Sequence, residues 1–265
     1  MIYLENNALK EKLKNNLINN NKDMSILVIS QSKDKEVIQY KNMIEKQCNK
    51  YNIKFIGVNC HEKESEISIT NRINRSIANG FIVLQPLDSN TNINYLQENI
   101  NNTIIDLDCM THQSLGKLMS KDFANLPCTA QSIIQLLEFN NIDLKSKNIV
   151  IANSTNVIGK PLALYLNSKK ATITLLNSKS INQQQLIKNC DIFITAIGKV
   201  NYYNKDYFKE NQYIIDAGME FKNSKLYGDI DYNSIKNLNV NILGYNKDIG
   251  QLTTLNLLNK LLGEK

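Results

Sequence analysis

Residues 148–161 read NIVIANSTNVIGKP and combine a short apolar run, a polar turn and the start of a helix. Gly159 permits close approach of the helix to the strand, and Pro161 suits the first helical turn, where a missing amide costs nothing. Strand–turn–helix units of this kind hold anions at the helix N-terminus, and hydroxyls of Ser154 and Thr155 stand where glycine is usual. The stretch predicts a phosphate-holding turn in a parallel sheet. An ordinary capped helix fits the bare motif equally well, because no G-x-G-x-x-G is present.

The next predicted strand, ATITLL (171–176), ends in Asn177, Ser178, Lys179 and Ser180. Dinucleotide sites that prefer NAD place a carboxylate at this position, whereas a 2′-phosphate favours hydroxyls and cations. The segment contains no carboxylate. It therefore favours NADP over NAD if a dinucleotide binds, and the alternative interpretation is a solvated loop.

Strands and helices alternate along the whole chain. Short runs rich in Ile and Val predict strands, and stretches of helical periodicity separate them. In the first half the predicted strands are 25–30, 53–59, 81–85 and 104–108, with helices at 7–20, 35–51, 65–78 and 92–100. A helix at 129–140 precedes a second series, with strands at 148–152, 171–176, 191–197, 213–218 and 239–244 and helices from 160 and at 183–189. This pattern predicts an α/β protein of two wound units, with strands buried on both faces. We expect the final amphipathic stretch to return to the first unit.

The composition excludes several classes of protein. The chain has 265 residues and a net charge of +6, spread over scattered lysines without aromatic interleaving, so we expect no nucleic-acid partner. Its five cysteines lack metal-knuckle spacing, and only His61 and His112 are available, so we expect no metal site. The first 22 residues carry acids and lysines without a continuous apolar core, which argues against a signal peptide or a membrane span. We expect a soluble protein in a reducing compartment.

Several segments, in this order and spacing, resemble the methylenetetrahydrofolate dehydrogenase/methenyltetrahydrofolate cyclohydrolase family. They are Tyr40, QPL (85–87), DLD (106–108), PCTAQSI (127–133), NSTNVIGKP (153–161), ATITLLNSKS (171–180), AIGK (196–199), IIDAGME (214–220), YGDID (227–231) and IGQLTTLNLL (249–258). The resemblance covers nearly the whole chain. Asn153 stands where the family's phosphate loop begins with glycine.

The resemblance implies a folate-binding α/β domain over residues 1–125, against which residues 247–265 pack, and a Rossmann-like NADP-binding domain over 126–246. Enzymes of the family oxidise 5,10-methylenetetrahydrofolate with NADP and then hydrolyse the methenyl product to 10-formyltetrahydrofolate, in a cleft between the domains. The resemblance further implies a homodimer in the cytoplasm with a folate derivative as substrate.

The implied catalytic residues are Tyr40, Asp108 and Gln85. The family has a lysine four residues after the tyrosine, on the same helical face, as the main group for hydrolysis, and here that position is Ile44. Lys41 lies roughly 100° around the helix from Tyr40, so it does not take the place of the family's lysine. The family order Q-L-P reads Leu84-Gln85-Pro86, so Gln85 reaches the site only if the strand shifts.

The resemblance also implies binding residues for both ligands. Those for the cofactor are Asn153, Ser154, Thr155, Gly159, Ser178, Lys179, Ala196, Gly198 and Met219. Those for the substrate are Tyr40, Asp108, Gly250 and Thr253. The family's terminal glycine loop is replaced by bulkier residues over 246–253, Cys109 occupies a glycine position, and Val200 occupies a proline position.

Losing the lysine harms hydrolysis more than hydride transfer, because hydrolysis needs a proton-handling group and hydride transfer mainly needs two rings in contact. The sequence therefore favours an NADP-dependent dehydrogenase with weak or absent cyclohydrolase activity. Two alternatives stay open. One is a non-catalytic dimeric relative, and the other is a dehydrogenase of this architecture that acts on another substrate.

Overall fold

The computed structural model describes residues 1–19, 23–101, 103–222, 225–245 and 248–263. The chain forms two compact units, each built from separated segments. One unit contains Met1–Leu9 and Thr129–Thr253, and the other contains Lys10–Cys128 and Thr254–Lys265. The fold is α/β, as the alternation predicted.

The unit built around Lys10–Cys128 is a parallel sheet with helices between its strands. The chain opens with β1 (Ile2–Tyr3) and α1 (Asn7–Ile18) and continues through β2 (Ser25–Ser30), α2 (Lys35–Lys50), β3 (Lys54–Asn59), α3 (Glu66–Asn74), β4 (Gly80–Val83), α4 (Ile93–Asn99), β5 (Ile105–Asp106) and α5 (His112–Met119). The sheet order is β3-β2-β4-β5, and all of its neighbours run parallel. Its core lies around the central strands, where Ile26, Ile29 and Phe81 are fully buried.

The second unit contains a larger parallel sheet. Its remaining elements are α6 (Cys128–Phe139), β6 (Asn148–Ala152), α7 (Gly159–Ser168), β7 (Thr172–Leu176), α8 (Gln183–Asn189), β8 (Ile192–Thr195), a 3-10 turn (Lys205–Tyr207), β9 (Tyr213–Asp216), β10 (Glu220–Lys222), β11 (Lys225–Tyr227), α9 (Tyr232–Ile235), β12 (Asn241–Leu243) and α10 (Asp248–Leu261). The order is β1-β12-β9-β8-β6-β7, while β10 and β11 form a separate antiparallel pair. Aliphatic residues of the central strands pack with Phe193, Tyr203 and Phe208 in the core.

The structure departs from the sequence expectations at several elements. Strand β3 is half-exposed rather than buried on both faces, because it is the edge strand of its sheet. Helix α5 was not predicted; Thr111 caps it by accepting a hydrogen bond of 3.2 Å from the Ser114 N–H. The β10–β11 pair and helix α9 were also missed, since they are too short to show a period.

The first nine residues are the main difference in organisation. The sequence analysis placed them in the predicted folate-binding domain, residues 1–125. In the structure, β1 pairs in parallel with β12 and thereby joins the unit that contains Thr129–Thr253. A two-residue strand carries no periodic signal, so only its tertiary partner identifies it. Similarly, α10 contributes to both units, and the division falls between Thr253 and Thr254. Within the described residues, no helix is long and apolar enough to cross a membrane.

Candidate functional site

Asp108 lies just beyond the carboxyl end of β5 in the four-stranded sheet. Its Oδ1 accepts a hydrogen bond of 2.7 Å from the backbone N–H of Cys128, the first residue of α6. Open parallel sheets bind their ligands at the carboxyl ends of the strands. Asp108 therefore occupies a position suited to contact a ligand.

Tyr40, on α2, is electrostatically coupled to Asp108. Burial raises the pKa of Asp108, while Lys260 and the Cys128 N–H act in the opposite direction. Burial, followed by the Asp108 charge, raises the pKa of Tyr40 well above its ordinary value. Tyr40 thus retains its proton and remains a hydrogen-bond donor beside a carboxylate. This electrostatic interaction links two of the three predicted catalytic residues.

Apolar side chains occupy the positions of the family's lysine and glutamine. Ile44 is fully buried on the same helix as Tyr40, and Leu84 is 3% exposed. Gln85, the third predicted catalytic residue, has an exposed side chain. Both Leu84 and Gln85 follow β4, which ends at Val83, and the exposed side chain of Gln85 is not brought to Tyr40 and Asp108.

The side chain of Lys41, next to Tyr40 on α2, reaches the ends of two strands of the sheet. Its Nζ donates a hydrogen bond of 3.3 Å to Ser30 Oγ and also contacts Asn59 Oδ1. Ser30 and Asn59 end strands β2 and β3. The ammonium of Lys41 is therefore committed to these strand ends.

Asp106 shapes the turn that carries Asp108. Its carboxylate accepts hydrogen bonds from the backbone N–H groups of Met110, at 3.0 Å, and Thr111, at 2.8 Å. Within this turn Cys109 has a φ of 54°, the left-handed conformation that favours glycine. Cys109 thus keeps the backbone shape of the glycine position, and Asp106 holds it.

The side chain of Asn153 organises the polar turn between β6 and α7. Its Oδ1 accepts hydrogen bonds from the N–H of Thr155 at 2.9 Å, the hydroxyl of Thr155 at 2.8 Å and the N–H of Gly159 at 3.0 Å. Its Nδ2 donates to the carbonyl of Ala196 at 2.8 Å. A Cβ at Gly159 would lie 1.9 Å from the Asn153 carbonyl oxygen, so only glycine fits there. Asn153 therefore replaces the missing glycine with a hydrogen-bonded side chain.

Other amides of the same turn stay available to a ligand. The backbone N–H groups of Ser154, Asn156 and Val157 donate to no group in the described part of the chain. Unpaired amides ahead of a helix N-terminus suit a phosphate. The turn thus fits the diphosphate of a dinucleotide.

The turn after β7 exposes polar side chains to solvent. Asn177 Oδ1 accepts a hydrogen bond of 2.9 Å from the Lys179 N–H, and Ser178 and Lys179 are both exposed. One cation and several hydroxyls, without a carboxylate, are presented at this strand end.

A pair of buried carboxylates holds the loops at the ends of β8 and β9. Asp229 accepts hydrogen bonds from the N–H groups of Ile197, at 2.8 Å, and Lys199, at 2.7 Å, which flank Gly198 in its left-handed conformation. Asp216 accepts the N–H groups of Gly218 and Asp229. Burial, followed by the Asp229 charge, raises the pKa of Asp216 to about 6. These two carboxylates fix the segments that contain the predicted cofactor residues Ala196, Gly198 and Met219.

A cavity of about 50 Å³ adjoins this network, with Met219 and Gly250 in its lining. A Cβ at Gly250 would lie 3.1 Å from Met219 Sδ, so the structure brings these two predicted binding residues together. Thr253 is buried, and its hydroxyl donates a hydrogen bond of 2.8 Å to the Ile249 carbonyl. Asn246 and Lys247, part of the altered terminal loop, lie outside the described residues.

Three residues of the site escaped sequence reasoning. Asp216 and Asp229 belong to matched segments, but nothing in the sequence predicts their mutual contact. Lys260 is the one charged residue of α10 after Asp248, and it lies among buried leucines, which is a signal that sequence reasoning could have used.

Comparisons with known proteins agree on one family. The family described as "Tetrahydrofolate dehydrogenase/cyclohydrolase, NAD(P)-binding domain" matches residues 127–264. The bifunctional protein FolD of Clostridium botulinum is 33% identical over 247 residues, which cover 89% of this chain and 86% of that relative. The crystal structure of the bifunctional enzyme FolD from Campylobacter jejuni superimposes with a TM-score of 0.84 at 24% identity, over 97% of this chain and 94% of that one. The Trypanosoma brucei dehydrogenase-cyclohydrolase, complexed with NADP cofactor and inhibitor, gives a TM-score of 0.87 at 19% identity over 98% and 96% of the two chains.

Proposed function

This chain belongs to the tetrahydrofolate dehydrogenase/cyclohydrolase family, and we propose that it oxidises 5,10-methylenetetrahydrofolate to the methenyl form with NADP, while the cyclohydrolase step is weak or absent. The observation that carries the proposal is the full burial of Ile44 on the helix that carries Tyr40, with the coupled pair Tyr40 and Asp108 retained. The hydrolytic step thus lacks the lysine amine on which the family relies, whereas the residues proposed for the oxidation step are present.

The dehydrogenase half requires little from the protein's acids and bases. A hydride leaves the methylene carbon with its electron pair, and no proton moves in this step. The bound nicotinamide supplies the hydride acceptor, so the protein acts mainly by positioning the substrate. Asp108 suits the N–H donors of the pterin ring, and Tyr40 contributes a donor beside it. These residues support oxidation without an amine.

The hydrolytic half requires a water molecule to lose a proton as it adds to the methenyl carbon. A positioned basic or cationic group assists that step, and a saturated side chain does not. Both Ile44 and Leu84 are apolar and buried, so neither the amine nor its amide partner is available. We therefore expect hydrolysis close to the uncatalysed rate.

The preference for NADP rests on the strand end after β7. Ser178 and Lys179 are exposed there, and hydroxyls with a cation suit a 2′-phosphate better than a ribose hydroxyl pair. The loop residues Asn153, Ser154, Thr155 and Gly159 would hold the diphosphate. The relative from Trypanosoma brucei was solved with NADP cofactor, which supports the same choice.

The proposal includes the implied organisation. The unit with Lys10–Cys128 would bind the folate, and the unit with Thr129–Thr253 would bind the nucleotide. We also propose a cytoplasmic homodimer, which family membership implies and sedimentation analysis would test.

The two half-reactions can be measured separately on the purified protein. Oxidation is followed by methenyl absorbance with NADP or NAD, and hydrolysis is followed from the methenyl compound. We expect oxidation with NADP and almost no hydrolysis. In the double variant Ile44→Lys with Leu84→Gln, we expect hydrolysis to rise roughly a hundredfold, as restored proton handling would allow.

A matched control separates the amine from the change in packing. Ile44→Met introduces an unbranched apolar chain without a charge, so it should leave hydrolysis unchanged. Strong hydrolysis by the unmodified protein would contradict the assignment of position 44. A folded protein that forms no methenyl product with either nucleotide would overturn the dehydrogenase proposal. That result would favour a non-catalytic relative or another substrate.

A further inference from the structure

Lys260 on α10 makes two contacts with the backbone beside Asp108. Its Nζ donates a hydrogen bond of 2.7 Å to the carbonyl oxygen of Leu107 and also contacts the carbonyl oxygen of Leu126. Leu107 immediately precedes Asp108, and Leu126 lies two residues before Cys128. One ammonium therefore joins the two segments that form the Asp108 site.

The same two segments are already connected at Asp108 itself. The Cys128 N–H donates to Asp108 Oδ1 at 2.7 Å, and the Cys128 thiol donates to the Leu107 carbonyl at 3.3 Å. The Lys260 ammonium also interacts with that thiol. The Asp108 carboxylate is thus hydrogen-bonded to one of the two backbone segments that the Lys260 ammonium holds together.

Placing a lysine ammonium at position 260 is energetically unfavourable unless it has partners. Its neighbours Leu257, Leu258 and Leu261 are buried, and Lys260 itself is only partly exposed. Removing an ammonium from water is unfavourable unless it gains hydrogen bonds and an opposite charge. The carbonyl oxygens of Leu107 and Leu126 supply the hydrogen bonds, and the carboxylate of Asp108 supplies the opposite charge.

We propose that Lys260 is a positioning residue that holds the Asp108 carboxylate in place, with a cation behind it, for the N–H donors of a pterin ring. The inference rests on the proposed function. Because Lys260 Nζ is engaged with two carbonyls and the Cys128 thiol, it is not a substitute for the water-activating amine missing at position 44.

Charge around Asp108 gives the inference a pH signature. Burial and Asp106 raise the pKa of Asp108, and Lys260 is the largest influence that lowers it. The other titratable neighbours, Tyr40, Cys109 and Cys128, stay protonated near neutrality because burial raises the pKa of each. Without the cation, Asp108 would bind a proton at higher pH and lose its capacity to accept two N–H donors.

The test compares three substitutions at this position. Lys260→Gln retains an N–H donor for the carbonyls but removes the charge, Lys260→Arg retains the charge, and Lys260→Met removes both. We expect the acidic limb of kcat/KM for methylenetetrahydrofolate to move to higher pH in Lys260→Gln, with the KM for folate raised about tenfold on that acidic limb. Lys260→Arg should keep the wild-type limb, and KM for NADP should change in neither variant.

Controls separate this effect from general damage and from failure of the proposed function. Lys46→Met removes an exposed lysine of α2 and should behave as wild type. If Lys260→Met does not fold, Lys260→Gln and Lys260→Arg still decide the question. An unchanged acidic limb in folded Lys260→Gln would overturn the inference. If the wild type shows no oxidation, calorimetric binding of tetrahydrofolate across the same pH range tests Lys260 independently.

Discussion

At the scale of single residues, Asn153 shows how a side chain replaces a glycine in a phosphate turn. Its amide satisfies the N–H groups of Thr155 and Gly159 and reaches the carbonyl of Ala196. The shape of the turn is here specified by four hydrogen bonds of the Asn153 side chain, including the one from the Thr155 hydroxyl. The turn keeps its shape, and its remaining amides keep their capacity to bind an anion.

Two substitutions at position 153 should separate stability from nucleotide binding. Asn153→Ala leaves the N–H groups of Thr155 and Gly159 without their acceptor, and we expect the free energy of unfolding to fall by about 1–3 kcal/mol. Asn153→Asp keeps the acceptor but adds a negative charge beside the diphosphate, so NADP affinity should fall roughly tenfold or more, most strongly at low salt. Denaturant unfolding and calorimetric titration measure the two quantities. Wild-type NADP affinity in Asn153→Asp would show that the diphosphate does not bind at this turn.

At the scale of an element, helix α3 begins with a group of polar contacts rather than a single cap. Ser65 Oγ accepts the Ser68 N–H, while Glu64 Oε1 accepts the Ser68 hydroxyl at 2.6 Å and Arg72 Nε at 2.7 Å. The Ser68 hydroxyl, followed by Arg72, lowers the pKa of Glu64 to about 2. The carboxylate thus links the first turn of the helix to its last turn.

This helix should make stability depend on pH. Because the folded-state pKa of Glu64 lies below its ordinary value of 4.5, its contribution is present above that value and is lost as pH falls toward about 2. We expect Glu64→Gln to lower the free energy of unfolding by about 1 kcal/mol or less at neutral pH, since Arg72 is half-exposed and screened. The difference should shrink in acid, as measured by urea unfolding at both pH values.

The control is Glu98→Gln, which changes an exposed glutamate on α4. It should have little effect at either pH. A Glu64→Gln deficit that persists unchanged in strong acid would show that lost packing, and not the carboxylate's charge, is responsible.

At the scale of the whole molecule, the N-terminus contributes to a sheet formed mostly by the second half of the chain. The Ile2 N–H donates to the Val240 carbonyl at 2.8 Å, and the Leu4 N–H donates to the Ile242 carbonyl at 2.9 Å. Asn6 Nδ2 donates to Asp248 Oδ2 at 2.8 Å. Strand β12 therefore has a partner on each side.

Deleting residues 1–5 should weaken one unit and spare the other. Strand β12 would become an edge, and we expect faster hydrogen exchange at Asn241–Leu243 together with weaker NADP binding. Exchange at Ser25–Ser30, in the other unit, should stay at the wild-type level. Mass spectrometry of exchanged peptides measures both regions. Equal loss of protection in β2 and β12 would contradict the assignment of the N-terminus to a single unit.

The sequence predicted the features that depend on neighbours along the chain. Apolar runs and helical periods identified β2, β4, β6 and the α/β class, whereas the assignment of Ile44 to the family's lysine position came from the resemblance and stays a prediction. Conversely, β1 and α5 were missed, because two paired residues and a short helix with an internal glycine carry little periodic signal.

The sequence by itself thus determined the α/β class, the family, and the identity of the residue at position 44, because local pattern and residue identity carry that information. Only the tertiary structure decided that Lys260 lies behind Asp108, that Asp216 and Asp229 form one network, and that β1 pairs with β12. Each of these contacts joins residues from separate parts of the chain, and their partners depend on how parallel strands order themselves in a sheet. Strand order is set by tertiary packing. Hydrogen bonds and charges act through space and not along the sequence, so local sequence pattern does not identify these partners.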